Sequence, residues 1–95
     1  MIAASGSIAT TMQITFKLYA SLGEHLPPDK RQGNQMTLEV ASDATIAGVI
    51  QPFNLPAKLV HLVLVNGAYV QPEDRATRTL ADGDVLAIWP PIAGG

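Results

Sequence analysis

The last six residues, PPIAGG, combine residue types that suit a reactive chain end. Pro90 and Pro91 fix the backbone φ angle, which stiffens the segment and reduces the entropy lost when a partner orders it. Gly95 has no Cβ, so reagents can approach its carbonyl group, and Gly94 lets the backbone thread a narrow channel. A free carboxylate is a poor acyl donor, because its charge repels nucleophiles and oxide is a poor leaving group. Fully extended, the segment reaches ~20 Å, which is far enough to enter the active site of another protein.

The other side chains that could do chemistry form no recognisable site. The chain contains no cysteine, which excludes disulfides, thiol catalysis and cysteine-ligated metals. His25 and His61 have no clustered ligand partners, so we expect no metal site. Acidic residues gather in the C-terminal half, where a solvated, turn-rich segment explains them most simply: Glu73, Asp74, Asp82 and Asp84.

The composition predicts one domain with a hydrophobic core. Of the 95 residues, 47% are hydrophobic and 15% are charged, so intrinsic disorder is not expected. The net charge is −2 and the six basic residues are scattered, which argues against nucleic acid as a partner. No apolar run approaches the ~18–20 residues of a membrane span, so we expect no membrane association. The lack of cysteine fits a reducing compartment, and we expect a cytoplasmic location. Residues 1–11 lack the features of a signal peptide and are interpreted as a flexible N-terminal extension.

Two alternating segments predict an antiparallel hairpin. Apolar and polar residues alternate with period two from Met12 to Ala20, and again from Met36 to Val40, as they do in half-buried strands. The sequence between them, SLGEHLPPDKRQGNQ, is interpreted as a turn followed by a long polar loop.

The segment SDATIAGVIQPF predicts one short helix that must pack on the sheet. Its apolar residues follow helical spacing and line one face: Ile46, Val49, Ile50 and Phe53. Asp43 or Thr45 can cap the start by accepting a backbone N–H bond. Pro52 lacks an N–H group and should end or kink the helix near Gln51.

The C-terminal half predicts three further strands. Residues 62–65 are continuously apolar, which indicates a central strand covered on both faces. Asn66-Gly67 is the preferred pair for a type I′ turn, and a short strand follows it. Asp82-Gly83-Asp84 predicts a turn before a last alternating strand that ends at Trp89, because the two prolines after it cannot donate to a sheet. The resulting fold class is α+β, with one mixed sheet packed on one main helix.

From Met12 to Gly95, the chain resembles the MoaD/ThiS family of ubiquitin-like sulfur carriers. The stretches that carry the resemblance are MQITFKLYASL, DATIAGVI, HLVLVNGAYV and LADGDVLAIWPPIAGG. The double proline makes the chain more similar to the small sulfur-carrier subunit of molybdopterin synthase than to the thiamine sulfur carrier. The resemblance implies a ubiquitin-like β-grasp domain over residues 12–89 and a flexible Gly-Gly tail over residues 90–95.

The resemblance also implies a function in sulfur transfer. Family members carry sulfur as a thiocarboxylate on the final glycine, which an ATP-dependent adenylating enzyme akin to ubiquitin-activating enzymes first activates. A persulfide supplies the sulfur, and the loaded tail then inserts into the large subunit of molybdopterin synthase, in molybdenum cofactor biosynthesis. This implies a carrier with no activity alone and no bound cofactor, since the activating enzyme uses the ATP.

The expected reaction site is Gly95, with Gly94 beside it. The expected partner contacts flank this site on an exposed face of the sheet and along the tail: Ile88, Trp89, Pro90, Pro91, Ile92 and Ala93. For Trp89, a place in the core or at a strand edge is an equally open interpretation. The chain departs from the family pattern at Trp89, where phenylalanine is common, and over residues 21–34, where molybdopterin members often begin a helix.

Two alternatives to the molybdopterin assignment stay open. The chain could carry sulfur for thiamine, for another thio-metabolite or for the gene cluster of a tungsten or molybdenum enzyme. It could also be a ubiquitin-like modifier conjugated to lysines, or an interaction module that never carries sulfur.

Overall fold

The computed structural model describes residues 10–91, which form a five-stranded mixed sheet with one α-helix on one face. The strands are β1 (Thr11–Leu18), β2 (Gln35–Ala41), β3 (Leu62–Val65), β4 (Ala68–Tyr69) and β5 (Val85–Trp89), and the helix is α1 (Ile46–Ile50). Short 3₁₀ helices span Ala20–His25, Pro28–Lys30, Gln51–Phe53, Ala57–Leu59 and Pro72–Asp74. The order across the sheet is β2-β1-β5-β3-β4. The predicted fold class is therefore confirmed.

The predicted hairpin between the first two strands is also confirmed. β1 and β2 pair antiparallel with Met12 opposite Val40 and Phe16 opposite Met36. β1 begins one residue before the predicted start. It ends two residues before the predicted end, because Ala20 adopts a φ of 53° and starts a 3₁₀ helix.

The prediction of a polar loop between β1 and β2 is wrong for its first half. Leu22 and Leu26 are 0% and 1% exposed and belong to the hydrophobic core. Leu22 lies within the 3₁₀ helix Ala20–His25, and Leu26 is the extended residue that follows it. Two isolated leucines among polar residues give too short a pattern to reveal a helical turn.

The helix begins and ends where the sequence predicted. Of the two candidate caps, Thr45 is used: its Oγ1 accepts the Gly48 N–H at 3.1 Å. α1 ends at Ile50, and Pro52 lies in the 3₁₀ helix that follows it. The interruption follows from the missing proline N–H, which removes one helical hydrogen bond.

The β3–β4 hairpin has the predicted turn but not the predicted position. Asn66 and Gly67 have φ angles of 52° and 85°, as a type I′ turn requires. β3, however, lies next to the two-residue edge strand β4, and its Leu62 and Leu64 are only half-buried. β5 is the central strand, between a parallel β1 and an antiparallel β3. The continuous apolar run therefore located β3 correctly, but only the face with Val63 and Val65 is buried, and the face with Leu62 and Leu64 is partly open to solvent.

The core lies between the sheet and the elements packed on one of its faces. Phe16 of β1 contacts Phe53 beyond α1, with ring centroids 4.6 Å apart. The other fully buried side chains are Ile14, Leu18, Leu22, Leu26, Ile46, Val63, Leu86 and Ile88.

Candidate functional site

The central strand β5 ends at Trp89, which is followed by Pro90 and Pro91. The Ile88 carbonyl accepts the Tyr19 N–H at 3.1 Å, and the Trp89 carbonyl accepts the His61 N–H at 3.2 Å. Pro90 then has no N–H to donate, so sheet pairing stops there. Pro91 is exposed to solvent. The two prolines therefore separate the rigid sheet from the residues that follow them.

The structure corrects the expectation that Ile88 contacts partners. Ile88 is 0% exposed, because its side chain points into the core between Leu18 of β1 and Val63 of β3. It fixes the end of β5 by packing rather than by offering a docking surface.

Trp89 lies on the opposite face of the sheet and is 39% exposed. Its indole ring stacks on the Tyr19 ring, with centroids 3.8 Å apart and an angle of 5° between the planes. Trp89 is thus a strand-end aromatic with a partly exposed ring, and its contact with a partner stays a prediction. Tyr19 is a part of this site that the sequence analysis missed, since its partner lies 70 residues further along the chain.

The face of the sheet around Trp89 is largely apolar. Across β3 and β5, Leu62 is opposite Trp89 and Leu64 is opposite Ala87. Lys17, half-buried on β1, is opposite Ala87 on the other side and places a cation beside this apolar surface. The described side chains at the root of the tail thus offer contact area to a partner.

Arg75 holds the neighbouring strands in place, and the sequence analysis missed it. Its guanidinium donates to the carbonyls of Val70, Val60 and His61 at 3.1, 3.2 and 3.2 Å. It also lies 5.9 Å from the centroid of the Tyr69 ring, within cation–π range. Because His61 also bonds Trp89, this arginine supports the sheet at the root of the tail. The segment around Arg75 has neither helical nor strand periodicity, so nothing in the sequence indicated which groups this arginine contacts.

Two of the acidic residues in the C-terminal half have structural roles. An Asp82 carboxylate oxygen accepts the Gln13 N–H at 2.8 Å, which ties the turn before β5 to β1. Asp84 accepts the Ala81 N–H at 2.8 Å and the Asn66 side-chain amide at 2.9 Å. These contacts account for both carboxylates as turn residues.

The remaining predicted site residues, Ile92, Ala93, Gly94 and Gly95, lie outside the described residues. Within residues 10–91, no group of three or more potential ligand side chains could hold a metal ion. None of the helices in this part of the chain is long and apolar enough to span a membrane.

Solved structures similar to this chain share its fold. The solution structure of the Haloferax volcanii HVO 2177 protein matches with a TM-score of 0.68 and 27% identity, over 90% of this chain and 88% of that one. The crystal structure of SAMP1 from Haloferax volcanii matches with a TM-score of 0.62 and 24% identity, over 87% and 99% of the two chains. Small archaeal modifier protein 1 from Methanosarcina acetivorans matches with a TM-score of 0.60 and 18% identity, over 90% and 99%.

A comparison with curated proteins gives no match. The family model described as Mut7-C ubiquitin matches residues 11–93, which is nearly the whole chain. Together with the structural neighbours, this match confirms the resemblance to ubiquitin-like proteins and the β-grasp fold. The chain belongs to the Mut7-C ubiquitin family.

Proposed function

We propose that this protein is a sulfur carrier whose C-terminal Gly95 is adenylated and converted to a thiocarboxylate. One observation carries the proposal: the central strand β5 ends at a partly exposed Trp89 and continues directly into Pro90-Pro91. This junction is followed in sequence by Gly94-Gly95. A rigid sheet, a stiff root and two glycines suit a carbonyl group that must enter the active sites of other proteins.

The proposed chemistry has two stages, and the partner enzymes supply its catalytic groups. An adenylating enzyme joins the Gly95 carboxylate to AMP and releases pyrophosphate from ATP. The terminal sulfur of a persulfide then attacks the carbonyl, and AMP leaves. A thiol then attacks the donor's sulfur in the resulting acyl disulfide, forms a new disulfide with the donor and releases a nucleophilic thiocarboxylate on Gly95.

The residues of this chain contribute binding and positioning. Trp89, stacked on Tyr19, and the apolar face beside it supply contact area next to the root of the tail. Aromatic residues with partly exposed rings often provide much of the energy of protein interfaces. In the most specific form of the proposal, the partner is the large subunit of molybdopterin synthase, supported by the resemblance of the ending LADGDVLAIWPPIAGG.

The test is the intact mass of N-terminally tagged protein purified from its native host. Replacement of one oxygen by sulfur adds about 16 Da, and alkylation of the thiocarboxylate should remove that species. The same spectrum establishes whether Gly95 is the terminal residue. A variant lacking Gly95 is the control and should show no added mass. Wild-type protein that never gains the sulfur, even when its activating enzyme is co-expressed, would refute the carrier function.

A second candidate is a ubiquitin-like modifier, with Gly95 in an isopeptide bond to lysines of target proteins. It is favoured by the description of two structural neighbours as small archaeal modifier proteins. Both functions begin with adenylation of the same carboxylate, so the product distinguishes them. Arg78 is the last basic residue, so trypsin would leave residues 79–95 as a branch on each modified lysine. Detection of this branched peptide supports the modifier function.

A further inference from the structure

Strand β2 lies at an edge of the sheet and, within residues 10–91, pairs only with β1. Two backbone hydrogen bonds just beyond the ends of β2 show which of its residues bond β1. The Leu18 N–H donates to the Asn34 carbonyl at 3.0 Å, and the Ser42 N–H donates to the Thr10 carbonyl at 3.1 Å. In an antiparallel pair, alternate residues direct both backbone groups toward the partner strand. The even-numbered residues of β2 therefore bond β1, and the odd-numbered residues face the free edge.

The free edge presents a row of backbone groups that a further strand could pair with. Thr37 and Glu39 direct their N–H and C=O groups outward, and Ala41 adds its N–H. The Ala41 carbonyl is already used, because it accepts the Ala44 N–H at 2.9 Å. Such an edge is a template for an extended peptide.

An apolar groove of about 440 Å³ lies beneath this edge, between β2 and the region of α1. Its walls come from both elements: Leu38, Glu39, Val40, Ala41, Ala44, Gly48, Val49, Pro52 and Phe53. The side chains of Leu38 and Val40 point to the α1 side of the sheet and are half-buried. A strand added to β2 would place every second side chain on this same side, inside the groove.

The charge of Glu39 indicates which kind of strand can pair with the free edge of β2. Among the residues of 10–91 that line the groove, Glu39 is the only ionisable one, and its Oε2 accepts the Thr11 hydroxyl at 2.7 Å on the solvent face. If β2 of a second copy paired across a two-fold axis, the two Glu39 carboxylates would lie near each other on one face of the sheet. A strand with a lysine or arginine beside Glu39 avoids this repulsion.

We propose that the free edge of β2 and the groove beneath it bind an extended segment of a partner protein by β-sheet addition. Alternate aliphatic side chains of that segment fill the groove, and a basic side chain on its other face pairs with Glu39. This site is separate from the tail and does not depend on the chemistry at Gly95.

The test is a fluorescence anisotropy titration of the full chain against a fluorescein-labelled peptide, KVTIKVT, with an amidated C-terminus. We expect saturable binding, whereas the scrambled peptide VIVTTKK, of the same composition, should not bind. Thr37→Pro removes an N–H on the free edge without removing a bond to β1, and edge strands accept such a proline. It should weaken binding about tenfold or more, whereas Thr37→Ala, which keeps the N–H, should bind like the wild type.

A charge exchange tests the same site without proline. Wild-type protein should prefer KVTIKVT over EVTIEVT, and Glu39→Lys should reverse this order. If Thr37→Pro fails to fold by circular dichroism, the charge exchange decides the question. Equal binding of the scrambled peptide, or no saturation by about 1 mM, overturns the proposal. Two further outcomes also overturn the proposal. A dimer that the peptide does not dissociate assigns the edge to a second copy of the chain, and peptide binding only after removal of residues 1–9 assigns it to those residues.

Discussion

Replacing Arg75 by methionine should destabilise the domain substantially, because it removes three hydrogen bonds to backbone carbonyls at once. Arg75 is partly exposed, so we take about 1 kcal/mol for each bond rather than the larger values of buried charged groups. The cation–π contact with Tyr69 adds about 0.5 kcal/mol. The expected loss is therefore about 3.5 kcal/mol of the roughly 5–14 kcal/mol typical of a domain this size. The melting temperature should fall by about 14–28 °C, at about 4–8 °C per kcal/mol.

Urea unfolding followed by tryptophan fluorescence measures this loss, because Trp89 is the only tryptophan and stacks on Tyr19 in the folded state. Arg75→Lys keeps the charge but not the planar fork, so it should be intermediate between the wild type and the methionine variant. Arg78→Met is the matched control: its side chain is exposed and makes no hydrogen bond within residues 10–91. If Arg75→Met lies within about 0.5 kcal/mol of Arg78→Met, the supporting role of Arg75 is refuted.

Three further substitutions test particular contacts. Leu22→Ala should cost about 2–5 kcal/mol of unfolding free energy because the side chain is fully buried, whereas Ser21→Ala should be nearly neutral; equal effects in urea unfolding would place Leu22 outside the core. Thr45→Ala should lower the free energy of unfolding by about 1 kcal/mol, because Thr45 caps the helix, whereas Asp43→Ala should change it little. Thermal unfolding measures both, and equal effects would refute the assignment of the cap. Trp89→Ala should weaken binding to the proposed adenylating enzyme, measured by calorimetry, and should cost about 1–2 kcal/mol in stability; unchanged affinity would remove Trp89 from the proposed contact surface.

The elements that the sequence predicted correctly are those with a local physical cause. Period-two alternation located β1 and β2, and the spacing of Ile46 and Val49 located the buried face of α1. Asn66-Gly67 marked the hairpin turn because both residues accept positive φ. In each case, a few neighbouring residues contain the whole signal.

The errors arose where a residue's role depends on distant parts of the chain. Ile88 adjoins the predicted tail in sequence, yet the alternation of β5 turns it into the core and leaves Trp89 outside. Leu22 looked like part of a polar loop because the surface that buries it is assembled from other elements. The free edge of β2 could not be inferred either, since strand order sets which strand lacks a second neighbour.

The sequence by itself determined the strands, the capped helix, the type I′ turn and a chain end made of two prolines and two glycines. These follow from backbone preferences and from periodicity over a few residues. Only the tertiary structure decided that Tyr19 stacks on Trp89, that Arg75 joins the ends of β3 and β4, and that β2 lies at an edge of the sheet above a groove. These depend on contacts between residues far apart in the chain, which form only when the whole sheet is assembled.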